Sequence, residues 1–110
     1  MRVFIFTVAT SLMVGSAWAE SPELPRYDPM RHCEKVAQMG GGGSAMIMNS
    51  CVDMEQQSYN SLKRIWAEIP ADVRKHCDQV ARMSDGSYTI LESCIDMETA
   101  EAANPSQFKF

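Results

Sequence analysis

One stretch of this chain is written twice, and each copy carries two cysteines. Arg31-His32-Cys33-Glu34-Lys35-Val36-Ala37-Gln38-Met39 returns as Lys75-His76-Cys77-Asp78-Gln79-Val80-Ala81-Arg82-Met83, with five identities in nine positions. Ser44 to Glu55 returns as Ser87 to Glu98, with seven identities in twelve. Both blocks close on Ser-Cys-(Val/Ile)-Asp-Met-Glu, and both interrupt themselves with a glycine-bearing insert. A repeat of about 44 residues with one cysteine in each arm describes a duplicated supersecondary unit. It accounts for all four cysteines of the chain.

The spacing of apolar residues makes each arm a helix. Asp28-Pro29 marks the first start, with Asp as the cap and Pro at the first helical position, where its missing N–H costs nothing. Met30, Cys33, Val36 and Ala37 then share a face. Gly40 to Gly43 turns the chain, and Ser44 caps a second helix carried without a break to about Trp66. That helix has two apolar edges, one of Ile47, Cys51 and Met54, the other of Met48, Val52, Tyr59, Leu62 and Trp66. Pro70 opens the third helix, Ser84-Asp85-Gly86 turns, and Ser87 caps a fourth that Asn104-Pro105 stops. No useful strand-like alternation appears. The expected fold is all-α: a helical hairpin over residues 28–67 and another over 68–104, packed as a small four-helix domain, with an extended lead at 20–27 and a tail at 105–110.

Residues 1–19 read as an address. Met1-Arg2, an apolar run from Val3 to Gly15 and the small-x-small site Ala17-Trp18-Ala19 make a secretory signal peptide, too short in its apolar run to span a bilayer. The expected location is periplasmic or secreted, with no membrane span after cleavage. The chain carries 10 basic and 14 acidic residues, and cleavage removes one base and no acid. So acidic a chain, with its bases scattered, lacks the electrostatic footprint of a nucleic-acid binder.

In a small exported protein four cysteines form a disulfide framework that supplements a modest core. Cys33 and Cys51 stand nearly equidistant from the middle of their turn, as do Cys77 and Cys94. Positions equidistant from the turn of an antiparallel pair face each other. Of the three connectivities, Cys33–Cys51 and Cys77–Cys94 are therefore expected, crossed bridges between the units being the competitor. Each closed loop stabilises by about 3 kcal/mol through the unfolded chain.

The pattern His-Cys-x-x-Val-Ala, a Gly-Ser turn, then Ser-Cys-(Val/Ile)-Asp-Met-Glu resembles that of small uncharacterised exported proteins of proteobacteria, over residues 28–110. The resemblance implies the exported compartment and the hairpins. It carries over no activity and no site residue.

Chemistry finds little purchase. Adjacent helical residues diverge by about 100°, so His32 and Cys33, or His76 and Cys77, do not aim at one ion. Asp53 with Glu55, and Asp96 with Glu98, are two residues apart and do not face each other on a helix. Each is expected to meet a base across its hairpin or to face water. No arrangement places Ser, His and carboxylate together, and the glycine run lacks the Gly-Lys-(Ser/Thr) ending of a phosphate loop. The reading is a non-enzymatic envelope protein without cofactor, catalytic or metal residues, acting as a scaffold or binding module for another envelope protein. A homo-oligomer is compatible with it. Tyr59 and Trp66 are the candidate contact residues in the helices, against burial between the hairpins. Phe108 and Phe110 are the candidates in the tail, where an aromatic-x-aromatic ending resembles ligands that PDZ domains take by strand addition. Apolar burial favours the alternative, in which both rings fold back onto the helices. The other class of function is a soft-metal protein, with copper held by Met and His between helices.

Overall fold

The computed structural model describes residues 23–110; the expected leader and residues 20–22 lie outside the described part. Four helices follow in order: α1 (Pro29–Met39), α2 (Ala45–Ile65), α3 (Ala71–Arg82) and α4 (Tyr88–Ala103). A single 3₁₀ turn, Trp66–Glu68, tightens the end of α2. Among the described residues there is no strand. The fold is all-α, as expected.

The helix starts follow from their caps. Asp28 accepts the Arg31 N–H, Ser44 the Ile47 N–H and Ser87 the Ile90 N–H, each satisfying a donor that the first turn leaves open. Pro70 itself occupies the cap position of α3, one residue earlier than a proline at the first helical position. Helix α1 pairs with α2, α3 with α4, and the two hairpins meet along α2 and α4. The bridges are Cys33–Cys51 and Cys77–Cys94, each with Cα atoms 5.5 Å apart, and no cysteine is free.

The core lies off-centre. Leu62, Trp66, Ile69, Cys77, Ala81, Tyr88, Leu91 and Ile95 pack together where the second half of α2 meets the second hairpin. The far end of the first hairpin buries only Cys33 and Ala37 and leaves Met39 and Met46 in water.

The residues before α1, expected as an extended lead, lie across the core as a strap. Leu24 and Tyr27 pack against the core. The Tyr27 ring lies 4.8 Å from that of Tyr88, its hydroxyl donates to Asp78 at 2.6 Å, and its N–H donates to the Tyr88 hydroxyl. That hydroxyl in turn donates to the Pro25 carbonyl, and the Trp66 indole N–H donates to that of Glu23. Burial, aided by the Asp78 carboxyl, pushes the Tyr27 phenol well above its ordinary range. Gly86 makes room for the strap. Its φ is +78°, and a Cβ there would stand 2.9 Å from the Tyr27 ring.

The tail corrects an expectation. Phe108 and Phe110 do not fold onto the helices; they are 82% and 116% exposed and stack edge-on against each other at 5.0 Å. The closing residues of α4, Glu98 to Ala103, are exposed, and the tail runs past the apolar cleft of about 510 Å³ that Ile65, Ile69, Pro70, Ile95 and Ala100 leave beside them without filling it. Deleting residues 106–110 is therefore expected to move the melting temperature of dilute protein by less than about 2 °C, the response to a negligible loss of burial. Calorimetry of the truncated chain checks this.

Candidate functional site

The hairpins meet at a carboxyl group. Glu55 is 2% exposed, and its side chain crosses from α2 to the first turn of α4. Its Oε2 accepts the Tyr88 N–H at 2.7 Å, and its Oε1 accepts the Ser87 hydroxyl at 2.5 Å and the Thr89 N–H at 3.4 Å. Helix α4 has no acidic residue in its own first turn, so Glu55 provides the negative end that the helix dipole favours. Expected to find a base across its hairpin or to face water, Glu55 instead caps a helix of the other hairpin. Asp53 and Asp96 do face water.

His32 completes the junction. Its Nδ1 lies 3.2 Å from the Ser84 carbonyl, to which only an N–H can donate, and its Nε2 is 3.9 Å from Glu55 Oε1. Lys35 reaches the same turn and pairs with Asp85 at 2.8 Å, holding that carboxyl below its usual range. In the second hairpin the corresponding pair, His76 and Glu98, is 3.5 Å apart and lies open on the surface.

Beside Glu55 the two hairpins leave a groove of about 550 Å³. Val36 of α1, Met46, Ile47 and Met54 of α2 and Ile90 of α4 form its walls, and His32, Glu55 and Ser87 stand at its polar end. Ile47 and Met54 were expected on one apolar edge with Cys51. Cys51 does turn to α1 through its bridge, while Met54, 55% exposed, and Met46, 77% exposed, stand at the open rim. Sequence reading missed the groove because its wall residues look like ordinary hairpin packing; the one available sign was a Met46, Ser50, Met54 stripe at helical spacing with no assigned partner.

A second cleft of about 690 Å³ runs beneath the strap, between Tyr27, Met30, Val52, Gln56 and Tyr59. Tyr59 is half-buried there, edge-on to Tyr88 at 5.0 Å and with the Lys63 ammonium 5.7 Å from its ring centre. Trp66, a candidate contact residue from sequence, is 5% exposed and lies under the strap with the Arg74 guanidinium 6.0 Å from its ring. It is a core residue and offers no surface to a partner. Phe108 and Phe110 are far from both in character, exposed on a segment without helix or strand.

The polar groups at the end of the groove are engaged within the protein. Ser87 is fully buried, and its hydroxyl is engaged with Glu55 and with the Ile90 N–H. Among the described residues no group of three or more His, Cys, Asp or Glu is placed to hold a metal ion. Met39 and Met83, two of the thioethers a soft metal would need, are 82% and 85% exposed, and each histidine is turned to a carboxyl group. Among the described residues no helix is long and apolar enough to cross a membrane. No family model, no curated protein and no solved structure matches the chain.

Proposed function

We propose that this is a non-enzymatic binding module of the cell envelope, periplasmic or secreted, whose disulfide-locked helices hold an apolar segment of another envelope protein in the groove beside Glu55. The observation that carries the reading is the groove itself: about 550 Å³, open, and walled by Val36, Met46, Ile47, Met54 and Ile90. A space of that size suits one or two large apolar side chains, and clefts of this kind bind chiefly by apolar burial with a few polar groups for orientation. Methionines at the rim adapt to different guests, because an unbranched thioether repacks at low cost. The two bridges fix α1 to α2 and α3 to α4 before a guest arrives, which lowers the ordering that binding must offset. The alternative class, a soft-metal protein, draws no support from the positions of the methionines and histidines.

The neutral apolar dye Nile red provides the test. Folded protein is expected to take up the dye with a blue-shifted emission, and Met46→Glu with Met54→Glu is expected to reduce the apparent affinity at least tenfold. Both side chains stand at the rim, so the variant keeps its melting temperature. Absence of uptake by the folded protein, or equal uptake by the variant, would overturn the reading.

A further inference from the structure

The internal contact between the hairpins has two sides, and the sequence correspondence identifies a second copy of each. On one side stand Ser87, Tyr88, Leu91 and Ile95, all buried to 4% exposure or less. Their counterparts in the first hairpin are Ser44, Ala45, Met48 and Val52, none of them buried. On the other side stands Glu55, 2% exposed, whose counterpart Glu98 has a side chain 46% exposed. The two faces left open on the molecule thus correspond, position by position, to the two faces pressed together inside it.

We infer that copies of this chain associate head to tail, with Glu98 of one copy seated on the first turn of α2 of the next, as Glu55 is seated on α4. Several features favour a second copy as the occupant. The first turn of α2 carries no acidic residue, and Ser44 caps it as Ser87 caps α4. Glu98 therefore meets a hydroxyl and free N–H groups in the same arrangement that Glu55 already occupies. His76 lies beside Glu98 at 3.5 Å, as His32 lies beside Glu55. The surroundings differ: Ala45 stands where Tyr88 does, Met46 and Glu101 where Thr89 and Ser58 do, and the apolar cover is rearranged. Beyond Glu98 the helix stops at Ala103, and the place of Leu62 falls to Pro105. The exposed rings of Phe108 and Phe110 follow within a few residues, and in a stacked pair they cover Met48 and Val52 of the neighbour. The tail of the same molecule is too short for this. From Asn104 to Phe108 four extended residues span about 14 Å, whereas α4 alone is about 24 Å long and its far end meets α2 only at Glu55, ten residues beyond the start of α2.

Such a contact joins unlike faces, so each addition leaves a new pair open and the assembly grows beyond a dimer or closes as a ring. Two variants separate this from every symmetric alternative. Glu98→Ala removes the carboxyl from one face, and Ala45→Glu places an acid on the other without creating an opposite charge for it to meet; both positions are exposed and outside the groove. In sedimentation velocity up to about 1 mM, the range of weak encounters, the wild-type mass is expected to rise past that of a dimer. Each variant alone should stay monomeric, and an equimolar mixture should give a single species of twice the monomer mass, because only one good face remains on each chain. Wild-type protein that stays monomeric throughout, a dimer that both variants retain, or a mixture that remains monomeric would overturn the inference. Met46 lines the groove and also lies in the first turn of α2, so the two results are kept apart by reading Nile red uptake at concentrations where the wild type is monomeric and by using for association only variants that leave the groove residues unchanged.

Discussion

Replacing Glu55 by Ala is expected to destabilise the domain by about 3–5 kcal/mol, the scale seen when one partner of a buried charged network is removed. The carboxyl group is 2% exposed and receives the Tyr88 N–H, the Thr89 N–H and the Ser87 hydroxyl. Ala at position 55 leaves those donors near the protein interior without acceptors, at about 1–3 kcal/mol for each group that water does not reach. The helix also loses a favourable charge at its N-terminus, a further contribution of about 0.3–1 kcal/mol. Glu55→Gln keeps one acceptor oxygen and should lose about half as much. Urea unfolding measures both variants, and hydrogen exchange at Tyr88 and Thr89 shows where the loss falls. Losses below about 1 kcal/mol for Glu55→Ala would show that water caps α4 as well as the carboxyl does.

The second large effect is expected from the bridges, and it should be unequal. The loops closed by Cys33–Cys51 and Cys77–Cys94 span separations of 18 and 17 residues, so their chain-entropy contributions are nearly the same, about 3 kcal/mol each. Their surroundings differ. Cys77 belongs to the main core beside Leu62, Ala81 and Leu91, whereas Cys33 sits at the thin end of the first hairpin. Cys33 is as fully buried as Cys77 but lies outside the main core, so changing Cys77 and Cys94 to Ala opens the larger space and adds about 1 kcal/mol to the difference. A loss of about 4 kcal/mol is a large part of the 5–15 kcal/mol that holds a domain together. Denaturant midpoints of the two double variants test the difference; equal losses would show that packing around Cys77 contributes nothing beyond the loop.

Local signals carried most of the fold. Asp28-Pro29, Ser44 and Ser87 each announce a helix start through chemistry confined to three or four residues, and the structure uses all three. Cysteine pairing was legible for the same reason, since each bridge closes within its own hairpin. The junction was not. Glu55 lies 32 and 33 residues from Ser87 and Tyr88, and nothing in periodicity or spacing says which way its side chain crosses. Its identity with Glu98 even misleads, because the same residue is buried in one block and open in the other. Trp66 and the two terminal phenylalanines show the limits of composition. One aromatic closes the core and two stand in water, although an apolar cleft lined by Ile69, Ile95 and Ala100 lies beside the last turns of α4.

The strap has a consequence for how the molecule is made. Its hydrogen bonds join residues 43 to 63 positions apart, while the bridges join residues 17 and 18 apart. Closing the longer loops costs about 1 kcal/mol more in chain entropy, and their partners must first be in place. A chain released amino end first therefore has Tyr27 in hand long before Tyr88 exists. Each bridge closes within its own hairpin, and each cysteine is bonded to the cysteine nearest to it along the chain. Tyr27 settles over Gly86 only after the second turn is built. The earliest stretch of the described chain is thus the last to find its seat, because both of the turns it rests on must come first.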